Sequence, residues 1–200
     1  MKGFGDLYKQ KKKKTQKTKS STEQIIKQAI QFHSEGNISE ATKYYQKLIS
    51  QRCNDHRVFS NYGAILQSQD KLAEAEVYYR KAIGLNPNFA DAHSNLGVIL
   101  KDLGKFEEAE VSYREAIKLH PDFANAHFNL GNILRDLGKL EEAEVSYRKA
   151  IELNPNLAKA YYSLSSIKFF DENKIWQDQL FSENILINKS QYEQIDIYFA

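Results

Sequence analysis

Cysteine, proline and long apolar runs are all scarce in this sequence. Cys53 is the single cysteine, so the chain has no internal disulfide. Three prolines are present, and no apolar run is long enough to cross a membrane as a helix. The N-terminal residues also lack the apolar core of a signal peptide. These absences exclude a disulfide-rich secreted scaffold and predict a location in the cytoplasm.

The residue patterns of catalytic and metal sites are also missing. There is no phosphate-binding glycine loop, no nucleophile elbow and no Cys/His spacing of a structural zinc site. His93 and His127 occupy equivalent places on neighbouring helical patterns. Packed helices lie about 8–10 Å apart, which is too far for both rings to bind one zinc ion. We therefore expect no metal, no cofactor and no catalytic activity in this chain.

Charge is distributed unevenly along the sequence. Residues 1–20 contain eight lysines and one acidic residue, whereas residues 21–200 contain 20 basic and 25 acidic residues. Like charges without apolar periodicity predict a disordered leader over residues 1–21. Such a leader either makes weak, salt-dependent contact with a polyanion or keeps the protein dissolved. The absence of aromatic residues among the lysines favours the second function.

A repeat of 34 residues dominates the rest of the sequence. Residues 90–123 and 124–157 align without a gap and agree at 24 of 34 positions. Each copy holds two amphipathic helical patterns, separated by Gly104 or Gly138 and closed by a proline. The two glycines suit the left-handed conformation that ends a helix. Each copy therefore predicts a helix, a tight turn and a second helix.

The same template extends in both directions from these two copies. Residues 22–55 form a divergent first repeat, and residues 56–89 form a second repeat in which Asp70 takes the place of the turn glycine. Residues 158–170 match the first helix of a fifth repeat. Residues 171–200 have lost the register and predict a helical segment that either caps the array or begins a further region.

Small and aromatic residues recur at fixed places in the repeats. Gly63, Gly97 and Gly131 lie in the middle of the first helical pattern, where glycine costs roughly 1 kcal/mol relative to alanine. We expect a close approach of the second helix at these glycines, with Ala75, Ala109 and Ala143 at the contact. Tyr79, Tyr113 and Tyr147 are predicted to fill the space between successive repeats.

This pattern resembles the tetratricopeptide repeat family, whose repeats run W-x2-L-G-x2-Y, then A-x3-F, then P. The resemblance covers residues 22–170, although His93 and His127 replace the first aromatic residue and Cys53 replaces the first proline. It implies an all-α fold, an α-solenoid of helix-turn-helix repeats wound into a right-handed superhelix. It also implies a concave groove, lined by the first helix of each repeat, that binds peptides.

The helical period predicts which residues line that groove. Apolar residues at repeat positions 4, 7, 8 and 11 form one stripe, so positions 2, 6, 9 and 13 face the other way. Asparagine recurs at position 6, and its carboxamide both donates and accepts hydrogen bonds, which suits the backbone of an extended peptide. The alternative is a row of solvated polar residues produced by duplication. The candidate groove residues are Arg57, Asn61, Asp91, Asn95, Lys101, Asn125, Asn129, Asn132, Arg135, Lys159 and Ser163.

The Asn-Leu-Gly triplets at Asn95 and Asn129 are also similar to those in the arrays of protein O-linked N-acetylglucosamine transferases. The whole layout is similar to bacterial proteins whose arrays precede a sulfotransferase- or glycosyltransferase-type domain. We favour a non-catalytic scaffold that binds an extended segment of an unidentified protein. The alternative is the substrate-recruiting part of a transferase whose catalytic domain lies elsewhere. Self-association through the ends of the array competes with both.

Overall fold

Helices are the regular structure of this protein wherever the computed structural model describes it, which is over residues 21–167. Nine helices and no strand occur between these limits, so the predicted all-α helical repeat fold is confirmed there. In chain order they are α1 (21–34), α2 (Ile38–Ser50), α3 (His56–Ser68), α4 (Leu72–Leu85), α5 (Ala90–Asp102), α6 (Phe106–Leu119), α7 (Ala124–Asp136), α8 (Leu140–Leu153) and α9 (Ala158–Ser166).

Two predicted segments lie outside the described residues. The predicted leader, residues 1–21, reaches the described part at Ser21, which belongs to α1. The predicted C-terminal segment, residues 171–200, lies wholly outside it, as do residues 168–170 of the partial fifth repeat.

The turn inside each repeat depends on one residue in the left-handed conformation. Gly104 has φ 74° and follows the end of α5. Its backbone N–H donates to the Lys101 carbonyl at 2.9 Å, and the Lys105 N–H donates to the Leu100 carbonyl at 2.8 Å. This pair of bonds satisfies two carbonyls that the end of the helix leaves without partners. Gly138 has φ 76°, so the predicted conformation of both turn glycines is confirmed.

Two residues other than glycine adopt the same left-handed conformation. Asp70 has φ 60° between α3 and α4, at the place where Gly104 occurs in the next repeat. Arg52 has φ 57° after α2, and its N–H donates to the Ile49 carbonyl at 3.0 Å. The later second helices are each followed by a proline, which lacks an N–H and stops the helix. Because Cys53 replaces that proline, α2 ends instead through the left-handed turn.

The described residues fall into two compact units, divided between Pro87 and Asn88. In the first unit, α3 packs against both α2 and α4. The rings of Phe32 and Tyr44 join α1 to α2 with their centroids 5.3 Å apart. Alanines and tyrosines of the second helices make up much of this core, because small residues let the helices approach. Ala41, Tyr45, Ala75, Tyr79 and Ala82 are completely buried.

In the second unit, the helices pack in sequence. Helix α6 packs against α5 and α7, α8 packs against α7 and α9, and α5 also contacts α7. Ile99, Leu100, Ile133 and Leu134 at the ends of the first helices are almost completely buried, as are the alanines and tyrosines of α6 and α8.

The partner of each mid-helix glycine is the tyrosine of the same repeat. A carbon atom added at Gly97 would lie 2.7 Å from Cε1 of Tyr113, and one at Gly63 would lie 3.3 Å from Cε1 of Tyr79. An added side-chain atom would thus be crowded at these glycines, and the atoms nearest to it belong to the tyrosine rather than to the alanine. The three nearest neighbours of each added carbon are ring atoms of the tyrosine. The tyrosine therefore packs across the first helix of its own repeat.

Candidate functional site

The row of asparagines lies on the first helices, at the sixth position of each repeat. Asn95 on α5 and Asn129 on α7 are both half-buried in the second unit, and Asn61 on α3 is half-buried in the first. Within residues 21–167, the three carboxamides form no hydrogen bond with another residue. A half-buried amide keeps full donor and acceptor capacity for a ligand when the protein leaves it unpaired.

Ser163 continues the row on α9 but lies in a different environment. It is 6% exposed, much less than the half-buried asparagines. Its hydroxyl lies near the phenol of Tyr147 on α8. Burial raises the pKa of Tyr147, while the charge of Arg135 and the hydroxyl of Ser163 lower it in part. Ser163 is thus placed at the buried edge of the predicted groove.

The residues at the second position have different surroundings in the two units. Arg57 in the first unit lies between two carboxylates, with its Nη2 2.7 Å from Asp55 Oδ2 and 2.8 Å from Glu23 Oε2. Hydrogen bonds to both carboxylates raise the pKa of the Arg57 guanidinium. The charge of this partly exposed side chain is therefore already paired with two carboxylates of the protein, which makes Arg57 a weaker candidate for binding a ligand.

The equivalent residues of the second unit are exposed. Asp91 and Asn125 are exposed on α5 and α7, and Lys159 is exposed on α9. The Lys159 ammonium lies 5.6 Å from the centroid of the Phe128 ring, which is buried below it. That distance is within the range of a cation–π interaction. The Lys159 ammonium therefore packs over the Phe128 ring and is still accessible to solvent.

Three further candidate residues lie toward the ends of α5 and α7. Asn132 accepts a hydrogen bond from the Tyr147 hydroxyl at 2.9 Å. The Lys101 ammonium lies 3.8 Å from Asp102 Oδ1, and Arg135 Nη2 lies 3.0 Å from Asp136 Oδ1. These two cations are partly exposed and each has a carboxylate beside it, so this part of the second unit carries charges of both signs.

Sequence reasoning missed the hydrogen bonds that two buried tyrosines make with the first helices. Tyr79 donates to Gln67 Oε1 at 3.2 Å, and Tyr147 donates to Asn132, so each phenol crosses to the first helix of its own repeat. The signal in the sequence is the constant spacing from Gly63 to Tyr79 and from Gly131 to Tyr147. The glycine leaves room for the ring to cross that helix, so that the hydroxyl reaches Gln67 or Asn132.

The described residues show neither a metal cluster nor a membrane span. Among residues 21–167, no three His, Cys, Asp or Glu side chains come together in a way that could hold a metal ion. His127 Nε2 lies 2.9 Å from the Pro121 carbonyl oxygen, which gives that ring a local backbone partner. No helix in this range is both long enough and apolar enough to span a bilayer.

Two family models match the sequence. The Tetratricopeptide repeat model matches residues 124–157. The model described as Cilia and flagella-associated protein 70 middle TPR-like domain matches residues 26–128, just over half of the chain. No curated protein gives a significant match.

Three solved structures illustrate the similarity of fold. The pilF protein of Pseudomonas aeruginosa has a TM-score of 0.71 at 18% identity, covering 90% of this chain and 87% of that one. YrrB, described as a TPR protein with an unusual peptide-binding site, has a TM-score of 0.69 at 20% identity, covering 88% of this chain and 91% of that one. The first TPR of Spaghetti (RPAP3), bound to an HSP90 peptide, has a TM-score of 0.56 at 29% identity, covering 56% of this chain and 90% of that one.

The 34-residue period, the paired helices and the turn at a left-handed residue agree with both the family models and the solved structures. These observations identify the fold and the type of repeat. The chain therefore belongs to the tetratricopeptide repeat family.

Proposed function

We propose that this chain is a non-catalytic scaffold that binds an extended segment of another protein along the first helices of its repeats. The observation that carries the proposal is the pair of unengaged carboxamides on Asn95 and Asn129. They occupy equivalent positions on α5 and α7, which contact each other in the second unit. Two such amides offer a donor and an acceptor each to one peptide backbone.

The repeat geometry fits an extended segment. Packed helices lie about 8–10 Å apart, and an extended chain advances about 3.3 Å per residue. A bound segment would therefore meet the next carboxamide about every third residue. Contacts of this kind depend on the backbone of the ligand, so they select for an extended conformation more than for particular side chains. YrrB and the first TPR of RPAP3, whose descriptions name peptide ligands, support the proposal by analogy of fold.

The test uses the full chain and a defined probe. Random 12-residue peptides displayed on phage are selected on the immobilised protein, and the Kd of one synthesised peptide is then measured. We expect Asn95→Ala with Asn129→Ala to weaken binding by about tenfold or more, because two hydrogen bonds are lost. Asn54→Ala is the matched control, since Asn54 is exposed in a loop outside the first helices. Equal affinity for the wild type and the double variant would rule the proposal out.

A second candidate function uses the same surface. The Asn-Leu-Gly triplets at Asn95 and Asn129 support the substrate-recruiting part of a glycosyltransferase- or sulfotransferase-type enzyme whose catalytic domain is a separate region. In that case the carboxamides would hold the segment to be modified. Incubation of the purified chain with a sugar-nucleotide or sulfate donor tests for catalysis, and turnover of either donor would contradict both candidate functions, because neither places catalysis in this chain.

Two further predictions from the sequence accompany the proposal. A location in the cytoplasm and self-association through the ends of the array both stay predictions. The polyanion contact predicted for the lysine-rich leader lies outside the described residues. A monomeric mass across a wide range of protein concentration would dismiss self-association.

A further inference from the structure

Tyr113 and Tyr147 are equivalent residues of the second unit, but their hydroxyl groups differ in their hydrogen bonds. The Tyr147 hydroxyl donates to Asn132 Oδ1 at 2.9 Å. The Tyr79 hydroxyl of the first unit likewise donates to Gln67 Oε1 at 3.2 Å. The Tyr113 hydroxyl makes no hydrogen bond with any residue between 21 and 167.

The difference follows from two residues of α5. Val98 stands where α7 has Asn132, and Lys101 stands where α3 has Gln67. Valine has no polar side-chain atom, and the lysine ammonium donates hydrogen bonds without accepting them. Helix α5 therefore offers the Tyr113 hydroxyl no acceptor at either of the places that serve the other two tyrosines.

The position of the Tyr113 ring places its hydroxyl beside the groove. A carbon added at Gly97 would lie 2.7 Å from Cε1 and 2.8 Å from Cζ of Tyr113, so the hydroxyl end of the ring crosses α5. The equivalent hydroxyl of Tyr147 reaches Asn132 and lies near Ser163, the sixth-position residue of the next repeat. For Tyr113 of the third repeat, the residue that corresponds to Ser163 is Asn129, so repetition of this arrangement would bring the Tyr113 hydroxyl toward Asn129.

The electrostatic surroundings of Tyr113 agree with this location. Burial raises the pKa of the Tyr113 phenol, and the negative charge of Asp102 raises it further. Asp102 is exposed in the last turn of α5, close to Lys101. Tyr113 as a whole is 1% exposed, but its hydroxyl keeps some contact with solvent, because within residues 21–167 only the Tyr45 hydroxyl is fully buried without a partner. The Tyr113 hydroxyl is therefore open to an acceptor supplied by a ligand.

We propose that the Tyr113 hydroxyl donates a hydrogen bond to a backbone carbonyl of the bound segment, between the points where Asn95 and Asn129 contact it. The inference rests on the proposed peptide-binding function and assigns that function a further residue. A carbonyl of an extended segment is the fitting acceptor because carbonyls recur along the whole backbone, whatever the side chains are. The third repeat would thus hold the segment most tightly, since Tyr113 is the one of the three equivalent tyrosines Tyr79, Tyr113 and Tyr147 whose hydroxyl has no acceptor in the described residues.

The experiment measures the Kd of the peptide selected on the full chain. Tyr113→Phe removes the hydroxyl and keeps the ring on Gly97, so we expect normal helicity and about fivefold weaker binding. Tyr147→Phe is the matched control, because its hydroxyl is already donated to Asn132, and it should bind within about twofold of the wild type. Val98→Asn supplies the acceptor found in the fourth repeat. It should engage the Tyr113 hydroxyl and weaken binding to the same extent as Tyr113→Phe.

The possible outcomes separate this inference from the proposed function. If Asn129→Ala weakens binding and Tyr113→Phe does not, the inference is overturned and the scaffold function stands. If Tyr113→Phe and Tyr147→Phe weaken binding equally, the effect is structural and the inference is again overturned. If no peptide is selected, or the asparagine variants bind as well as the wild type, the proposed function is overturned and the inference with it.

Discussion

Gly131 and Tyr147 are in such close contact that no side chain fits between them. A carbon atom added at Gly131 would lie 2.6 Å from both Cδ1 and Cε1 of the Tyr147 ring. The ring is completely buried and its hydroxyl is held by Asn132, so it has no room to move away. The glycine in the middle of α7 is thus explained by the tyrosine of α8.

Gly131→Ala should therefore destabilise the protein, although alanine is the better helix former. Overpacking of a buried site costs about 1–3 kcal/mol, which exceeds the gain in helix propensity of roughly 1 kcal/mol. Gly63→Ala should cost less, because its added carbon would lie 3.3 Å from the Tyr79 ring. Urea unfolding followed by circular dichroism measures the difference.

Gly84→Ala provides the matched control for this comparison. Gly84 is exposed in the last turn of α4, and an added carbon would meet no atom within 4 Å. Alanine should stabilise this site by up to about 1 kcal/mol. A Gly131→Ala variant as stable as Gly84→Ala would show that the tight contact with Tyr147 has no energetic consequence.

Asp70→Gly should stabilise the first unit. Asp70 has φ 60° at the turn between α3 and α4, a conformation that is strained for L-residues and not for glycine. We expect a gain of about 0.5–1 kcal/mol in the free energy of unfolding. The reverse change, Gly104→Asp, should cost a similar amount. The expectation fails if the urea midpoint of Asp70→Gly falls below that of the wild type with an unchanged m-value.

Glu110 should make the stability depend on pH on the acid side. Burial raises the pKa of its carboxyl, but hydrogen bonds from Lys139 and Arg114 lower it more, so the net pKa lies below the ordinary value of 4.5. Ionised Glu110 therefore stabilises the fold fully above the unfolded-state pKa, and this contribution is lost as the pH falls through the lowered value.

The test compares urea midpoints of the wild type and Glu110→Gln between about pH 7 and pH 3. The variant should be less stable at neutral pH and should approach the wild type at the acid end. Glu107→Gln is the control, because Glu107 is exposed on the same helix. Parallel curves for the wild type and Glu110→Gln would contradict the assignment.

Arg57→Ala should affect stability more than peptide binding. Its guanidinium joins Glu23 of α1 to Asp55, the residue that caps α3. An exposed ion pair contributes about 1 kcal/mol or less, so a small fall in melting temperature is expected. Glu23→Gln should cause a similar fall, and the double variant should lose less than the sum of the two. Additive losses would show that the two side chains do not interact.

The all-α fold could be predicted from the sequence because the same 34-residue pattern of apolar residues and glycines recurs along it. Gly104 and Gly138 mark the ends of α5 and α7, and the conformations at these two glycines agree with that prediction. The contact partner of Gly97 was not predictable in the same way. Both Ala109 and Tyr113 recur at constant spacing, and a periodic pattern does not tell which of them lies over the glycine.

For the candidate groove, the sequence placed residues on a helix face but could not show how each side chain is used. Asn95 and Arg57 looked alike as groove candidates, yet one is unengaged and the other is bound by two carboxylates. Asn132 is likewise taken by Tyr147. Partners on other helices decide these differences, and they become visible when the side chains are placed in three dimensions.

The sequential packing of the second unit also bears on how it folds and how it arose. Because α6 packs between α5 and α7, and α8 between α7 and α9, each contact closes a short loop of chain. Low contact order of this kind favours rapid folding that can begin at more than one repeat. Because each helix contacts mainly its neighbours in the chain, a duplicated repeat can pack on the existing array through contacts of the same kind. The junction between α6 and α7 joins two near-identical copies through Pro121, and Pro87 and Pro155 occupy the same place in the repeats on either side.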